Sequence, residues 1–346
     1  MHDGLMRMNN FMKSCKNKKI VSLHVVAIIF LIISFLLGIM LGSTSVSFAD
    51  IWGAIINRNG TGSGARIFWY VRLPRICACL VCGGALSVSG AVIQGVLANR
   101  LASPSILGVN SGAGLAVILC TAFEIYGGWP LSAFSFLGAF AAVMLVSICS
   151  RKLGASRGTV ILLGVALNSL LNAVSDTVIT FKPEVGFMSS NFKIGDFSAV
   201  TYPKLIPAAV VVIVTIIILL TLTNELDILT LGDDNAKGLG MNTGFMRTLF
   251  LLFAALLAGC AVSLAGLLSF VGLIVPHIVR RISDNKASHL LPLCAIFGAA
   301  FVALCDTISR TVFSPYEIPV GIIMAFLGAP FFIFILVKGK GGHARD

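Results

Sequence analysis

Few side chains in this sequence are equipped for chemistry. Cys77, Cys79 and Cys82 cluster, and Cys79 and Cys82 share a helix face. Thiolates so placed could hold a soft metal or form a redox pair. No histidine lies nearby and the cluster sits in an apolar run, so we read these thiols as small apolar filler. His24 is the one histidine deep in an apolar run, where an imidazole is expected to be packed or hydrogen-bonded. Asp176 and Asp306 fall near the ends of apolar runs and read as rim residues rather than a proton relay, which would need acids at depth. The sequence has no G-x-x-x-x-G-K-[ST] phosphate loop and no H-E-x-x-H zinc helix. An enzyme is therefore not expected.

The elements that would position these residues belong to a membrane. Hydrophobic residues make up 57% of 346 and charged residues 11%, about half the charged fraction of a soluble domain. Apolar runs occur at Ile20–Gly42, Pro74–Leu97, Ile106–Ile125, Leu131–Ser150, Gly158–Thr180, Lys204–Thr223, Arg247–Arg281, Leu290–Ser309 and Ile318–Val337. The Arg247–Arg281 run exceeds one span and is expected to break around Gly266–Gly272 into a full span and a shorter one. The fold class is thus all-α integral membrane, with about ten helices. Continuous apolar runs exclude a β-barrel, whose strands alternate.

Alternate loops carry 17 Lys and Arg on the side of the N-terminus and 8 on the other. The positive-inside rule places both termini in the cytoplasm, giving a multi-pass membrane protein. The domain plan is a basic N-terminal segment at 1–19, one transmembrane domain at 20–337 with its largest cytoplasmic loop at 224–247, and a tail at 338–346. Ser47-Phe48-Ala49 has the small residues of a signal-peptidase site, but the preceding apolar run of about 23 residues is too long for a signal peptide, so no cleavage is expected. The net charge of +11 is scattered over short loops, which argues against nucleic acid and for contact with membrane lipid.

Small residues recur every fourth position along the second span, at Gly83, Ser87, Ala91 and Gly95. Further pairs are Gly38 and Gly42, Gly108 and Gly112, and Ala255 and Gly259. In lipid such stripes let helix backbones approach closely, so they are read as helix-packing faces.

Three segments carry a more specific pattern. The first is Arg72-Leu73-Pro74-Arg75, continuing to Gln94 through Pro104 and Leu107-Gly108-Val109-Asn110-Ser111-Gly112-Ala113-Gly114. The second is Gly232-Asp233-Asp234-Asn235-Ala236-Lys237-Gly238-Leu239-Gly240. The third is Gly266 to Arg281, with a later partner at Glu317-Ile318-Pro319-Val320-Gly321 and Gly328-Ala329-Pro330-Phe331-Phe332. In these segments, and over roughly residues 20 to 340, the chain resembles the permease subunit of binding-protein-dependent ABC importers for iron-siderophores, haem and cobalamin.

The resemblance implies a permease without a catalytic site, working as a dimer with an identical or paralogous second permease subunit. Two ATP-binding subunits and an extracytoplasmic substrate-binding protein complete the complex. No cofactor is expected on this chain; ATP and Mg are used by the partner ATPase. Arg72, Arg75 and Arg310 match arginines that dock on acidic residues of the binding protein, consistent with bidentate guanidinium–carboxylate pairing. Asp233, Ala236, Leu239 and Gly240 match the loop that couples to the ATPase. Asn99 and Leu101 match an inner gate, and Ser156 falls near a second gate position. The family often has Trp where this chain has Phe192, three residues before Gly195, in a segment facing the pathway entrance. The alternative is an ion-coupled secondary carrier, which would need intramembrane acids or matched broken helices.

Overall fold

The computed structural model describes residues 2–42, 52–54, 63–126, 128–153 and 156–340, and all structural statements refer to these. The Ser47-Phe48-Ala49 pattern and residues 341–346 of the tail lie outside them. Ten helices of 12 residues or more form the framework: α1 (His2–Met40), α2 (Leu73–Val96), α3 (Val109–Ala122), α4 (Gly128–Lys152), α5 (Arg157–Phe181), α6 (Tyr202–Thr221), α7 (Thr243–Ala265), α8 (Val271–Ile282), α9 (Ala287–Thr311) and α10 (Val320–Lys340). Each predicted run carries a helix. By length and composition, α1, α2, α4, α5, α6, α7 and α9 can cross a bilayer, while α3 and the Val320–Ile335 part of α10 are shorter apolar helices. The long seventh run does break: α7 stops at Gly266 and α8 is a half-length helix.

The break is built rather than frayed. Gly266 has φ +73, a left-handed conformation that favours glycine, and a Cβ there would run into the Phe192 carbonyl. The freed backbone groups find partners in the 190–196 segment. Leu267 donates its N–H to the Phe192 carbonyl at 2.9 Å, and Ala265 accepts from the Asp196 N–H at 2.8 Å. Irregular backbone at membrane depth is tolerated only when protein satisfies it in this way.

The hub is α2, packed against α9, α7 and α8 and almost wholly buried. Hydrophobicity does not drive helices together in lipid, so close contact must. Gly83 lies against the backbone of Gly298 on α9, and Gly90 against that of Gly272 at the start of α8. Ser87 and Ala91 are fully buried on the same face, while Gly95 meets the side chains of Leu226 and Thr230. Gly112 of α3 and Gly138 of α4 cross in the same backbone-to-backbone manner. Polar side chains add links: Ser89 Oγ donates to the Ala254 carbonyl at 2.7 Å, and Gln94 Nε2 to that of Gly272 at 3.2 Å. Cys79 and Cys82 are buried in this core, where Cys82 Sγ donates to the Ala261 carbonyl.

Replacing Gly83 with Val should destabilise the purified protein by about 1–3 kcal/mol, because the added carbons meet backbone that cannot move aside. The same change at Gly53, where no atom of the described residues lies within 4 Å of an added Cβ, should cost much less. Thermal unfolding of both variants in one detergent checks the difference.

Candidate functional site

The functional candidates gather in three places. The first is at the ends of α2 and α9 that the charge pattern assigns to the outside. Asp306 is fully buried and lies between two guanidiniums. Arg75 Nη2 donates to its Oδ1 at 2.9 Å, and Arg310 Nε lies 2.9 Å from its Oδ2. Arg75 also donates to Glu317 at 2.7 Å and comes within 3.9 Å of Asp196. Arg310 donates to the Gly38 and Leu41 carbonyls at 3.1 and 3.2 Å, and Arg72 to those of Ile39 and Met40 at 2.6 and 2.9 Å. The carbonyls of the last turn of α1, Gly38 to Leu41, are thereby stapled to the start of α2 and the end of α9 that meet there. This corrects two expectations. Asp306 is no rim residue but the centre of an ion cluster. Arg72, Arg75 and Arg310 do not present exposed guanidinium forks here, since each residue is 5% exposed or less. Their geometry is that of internal staples.

The second place is a cavity of about 400 Å³ along one face of α5, lined by Asn110, Ser111, Asn168, Asn172, Asp176 and Lys193 among others. Asn168, Asn172 and Asp176 follow each other at four-residue spacing, so they share a helix face. Asn168 is held in place: its Oδ1 accepts from Ser111 and its amide donates to the Ser105 and Ile106 carbonyls at 3.0 and 3.1 Å. Asn172 and Asp176 are exposed. Asp176 lines this cavity unburied, and the asparagines beside it were not anticipated. Their four-residue spacing in an apolar run was the signal. Of α5 only Val160, Gly164 and Ser175 are buried, so this membrane-length helix leaves both apolar and polar residues uncovered.

The third place is cytoplasmic by the same charge argument. A short helix, Asp233–Gly238, follows Gly232 (φ +105) and precedes Gly240 (φ +82), both left-handed turns. Asp233 accepts from Arg157 at the start of α5 at 2.9 Å and from Arg247 in α7 at 2.5 Å. Partial burial would raise its carboxyl, but the bonds from Arg247 and Arg157 outweigh that and hold it below the ordinary carboxylate range. Leu239 is exposed, but Ala236 is fully buried. Ala236 therefore seats the short helix on the protein rather than offering a small face to a partner. Asn99 and Leu101 lie just past α2, where Asn99 Oδ1 accepts from the Leu101 N–H at 2.9 Å and Leu101 is exposed. Ser156 caps α5, accepting from the Thr159 N–H at 3.3 Å. Gly154-Ala155-Ser156-Arg157-Gly158 also has G-x-S-x-G spacing. A nucleophile elbow needs a strand before its serine, whereas α4 precedes this one.

A bundle of long apolar helices around a polar helix face, with ion-paired ends, defines a polytopic transport permease. The profile of the FecCD transport family matches residues 30–338, and the chain belongs to that family. It is 33% identical, over 93% of its length and 95% of the relative's, to the uncharacterized ABC transporter permease protein YvrB of Bacillus subtilis (strain 168). To the Fe(3+)-citrate import system permease protein YfmD of the same organism the identity is 32%, over 92% and 95%. To the vitamin B12 import system permease protein BtuC of Yersinia pestis it is 34%, over 81% and 84%. Among solved structures, an inward-facing metal-chelate type ABC transporter superposes with TM-score 0.77 at 29% identity, covering 93% of this chain and 99% of the other. PsaBC from Streptococcus pneumoniae, at TM-score 0.55 and 17% identity, shares the fold. The chain is a permease subunit of an ABC importer and a multi-pass protein of the plasma membrane.

Asp306→Asn should leave two guanidiniums short of their counter-charge in a buried site and cost about 3–5 kcal/mol. Glu317→Gln, removing a partly exposed partner, should cost about 1 kcal/mol or less. Folded yield and melting temperature of the two variants test the ranking.

Proposed function

We propose that this chain is one half of an ATP-driven importer for an iron-chelate, haem or cobalamin-type substrate, with the polar face of α5 lining the pathway. The observation that carries the reading is the uncovered amide and carboxylate face of α5. Asn172 and Asp176 facing hydrocarbon would be costly, so this face must meet water or a second protein. A second permease subunit, identical or paralogous, packed against the uncovered apolar side of α5 would supply the wall and enclose a wet pathway. The names of the YfmD and BtuC relatives support the substrate class. Phe192, next in sequence to the cavity-lining Lys193, is the residue most expected to alter substrate preference.

In this reading an extracytoplasmic binding protein docks over the outer ends of α2 and α9, around Arg72, Arg75 and Arg310. Two ATP-binding subunits, using ATP and Mg, act on the loop that holds Asp233, Ala236, Leu239 and Gly240. Asn99, Leu101 and Ser156 mark the inner end of the pathway, where a small helix shift would open or close it. This subunit binds no cofactor and catalyses no covalent step.

Cysteines placed singly at Asn172 or Ser169 should cross-link between two permease chains in membranes, while one at the buried Val146 of α4 should not. Asn172→Leu should cut ATP-dependent uptake by about tenfold or more while the complex still hydrolyses ATP, because a polar group that meets the cargo in transit is lost. Uptake driven by a proton or sodium gradient without ATP hydrolysis would instead establish a secondary carrier. For docking, Arg72→Glu breaks the staple to the Ile39 and Met40 carbonyls and should lower folded yield, and the fraction that folds should also bind the binding protein more weakly. Unchanged affinity in that folded fraction would make Arg72 structural only.

A further inference from the structure

A separate cavity opens where the membrane-length helices α4 and α7 end and the Asp233–Gly238 helix begins. Its volume is about 400 Å³, large enough for a small ligand. Arg151, Lys237 and Arg247 line it against one carboxylate, Asp233, which is already engaged by Arg157 and Arg247. The wall also includes the first residues of α7, Thr243 and Gly244. The first amides of a long helix have no acceptor within it and carry the positive end of its dipole. The Asn242 side chain takes only the Phe245 N–H.

A further observation points to an occupant. Ser147, on the α4 wall, is 2% exposed, and its Oγ has no hydrogen-bond partner. A buried hydroxyl without an acceptor is unfavourable, and an anion in this cavity would provide one. Beside the polar Ser150 and Thr248, Leu251 and Met241 add an apolar side to the wall, which suits a group attached to a chain running alongside the bundle.

We infer that this cavity binds a phosphate group, as the headgroup of an anionic membrane lipid or as free phosphate, between Arg151, Lys237 and the start of α7. The site lies at the level where helices leave the bilayer, where basic pockets attract acidic headgroups. It shares Arg247 with Asp233, so an occupant bears on the same guanidinium that anchors the short cytoplasmic helix.

The test uses the full complex, extracted from membranes of mixed phosphatidylglycerol and phosphatidylcholine into neutral detergent. Native mass spectrometry then reads retained lipid. Phosphatidylglycerol should be retained over phosphatidylcholine, and Arg151→Ser with Lys237→Ser should lower that retention by about fivefold for each cation removed. The charge-conserving pair Arg151→Lys and Lys237→Arg should keep it. These positions are exposed, so the folded complex should survive both pairs. Displacement by millimolar inorganic phosphate would support free phosphate as the ligand, and its failure the lipid headgroup. Equal retention of the two lipids, or unchanged selectivity in the serine pair, would overturn the site. Loss of ATPase co-purification with lipid selectivity intact would also overturn it, assigning these cations to the partner's carboxylates.

Discussion

The outer half of this molecule depends on one buried carboxylate. Asp306 has no contact with solvent, and the guanidiniums of Arg75 and Arg310 converge on it. Such a cluster is costly to desolvate and pays back only when every group is paired. Here the remaining guanidinium donors reach Glu317 and the carbonyls at the end of α1. Those carbonyls are the last of a helix and have no intrahelical partner. The cluster and the last turn of α1 therefore satisfy each other, which fixes how α1 meets α2 and α9. Gly42 allows it: a Cβ there would come within 3.2 Å of Arg72 Nη2.

Much of the bundle was legible because lipid imposes simple rules. Apolar length located the helices, and the small residues at Gly83 and Gly112 do mark backbone crossings. The break after α7 could be read because Gly266 and Gly272 interrupt a run too long for one span. What stayed hidden was pairing across the chain. Nothing local to Asp306 says that Arg75, far away in sequence, will bury with it. The arginines were read from their likeness to a docking motif, which says where they lie but not which way their guanidiniums turn. The Asp233–Gly240 segment was likewise read from its likeness to a coupling loop, which does not say that the Ala236 side chain turns inward.

The two faces of the molecule differ in kind. On α2 polar atoms are few and buried, and the helix is enclosed by its own chain. On α5 the order is reversed. Asn172 and Asp176 are uncovered, and so are Leu170 and Val174 on the other side of the helix. A helix that is polar on one side and apolar on another, with little of either buried, is stable in a membrane only with company. The fold is complete around α2 and incomplete around α5, and that incompleteness is what the proposed pairing with a second permease chain would fill.

The cytoplasmic contacts connect that open side to the loop below it. Asp233 sits on the short helix and is held by Arg157, the first residue of α5, and by Arg247 of α7. Arg157 also donates to the Leu229 carbonyl at 2.7 Å, and Asp227 accepts from the Ala287 N–H that opens α9. A force on this loop therefore reaches α5, α7 and α9 through charged or capped helix starts rather than through flexible chain. Because the Asp233 carboxyl is held below its ordinary range, these ties persist at neutral pH and loosen only as acid protonates it. Packed interfaces switch between discrete arrangements rather than deforming smoothly. A rigid tie from the loop to α5 is thus the shortest route by which a partner acting in the cytoplasm could shift the helix whose polar face is open.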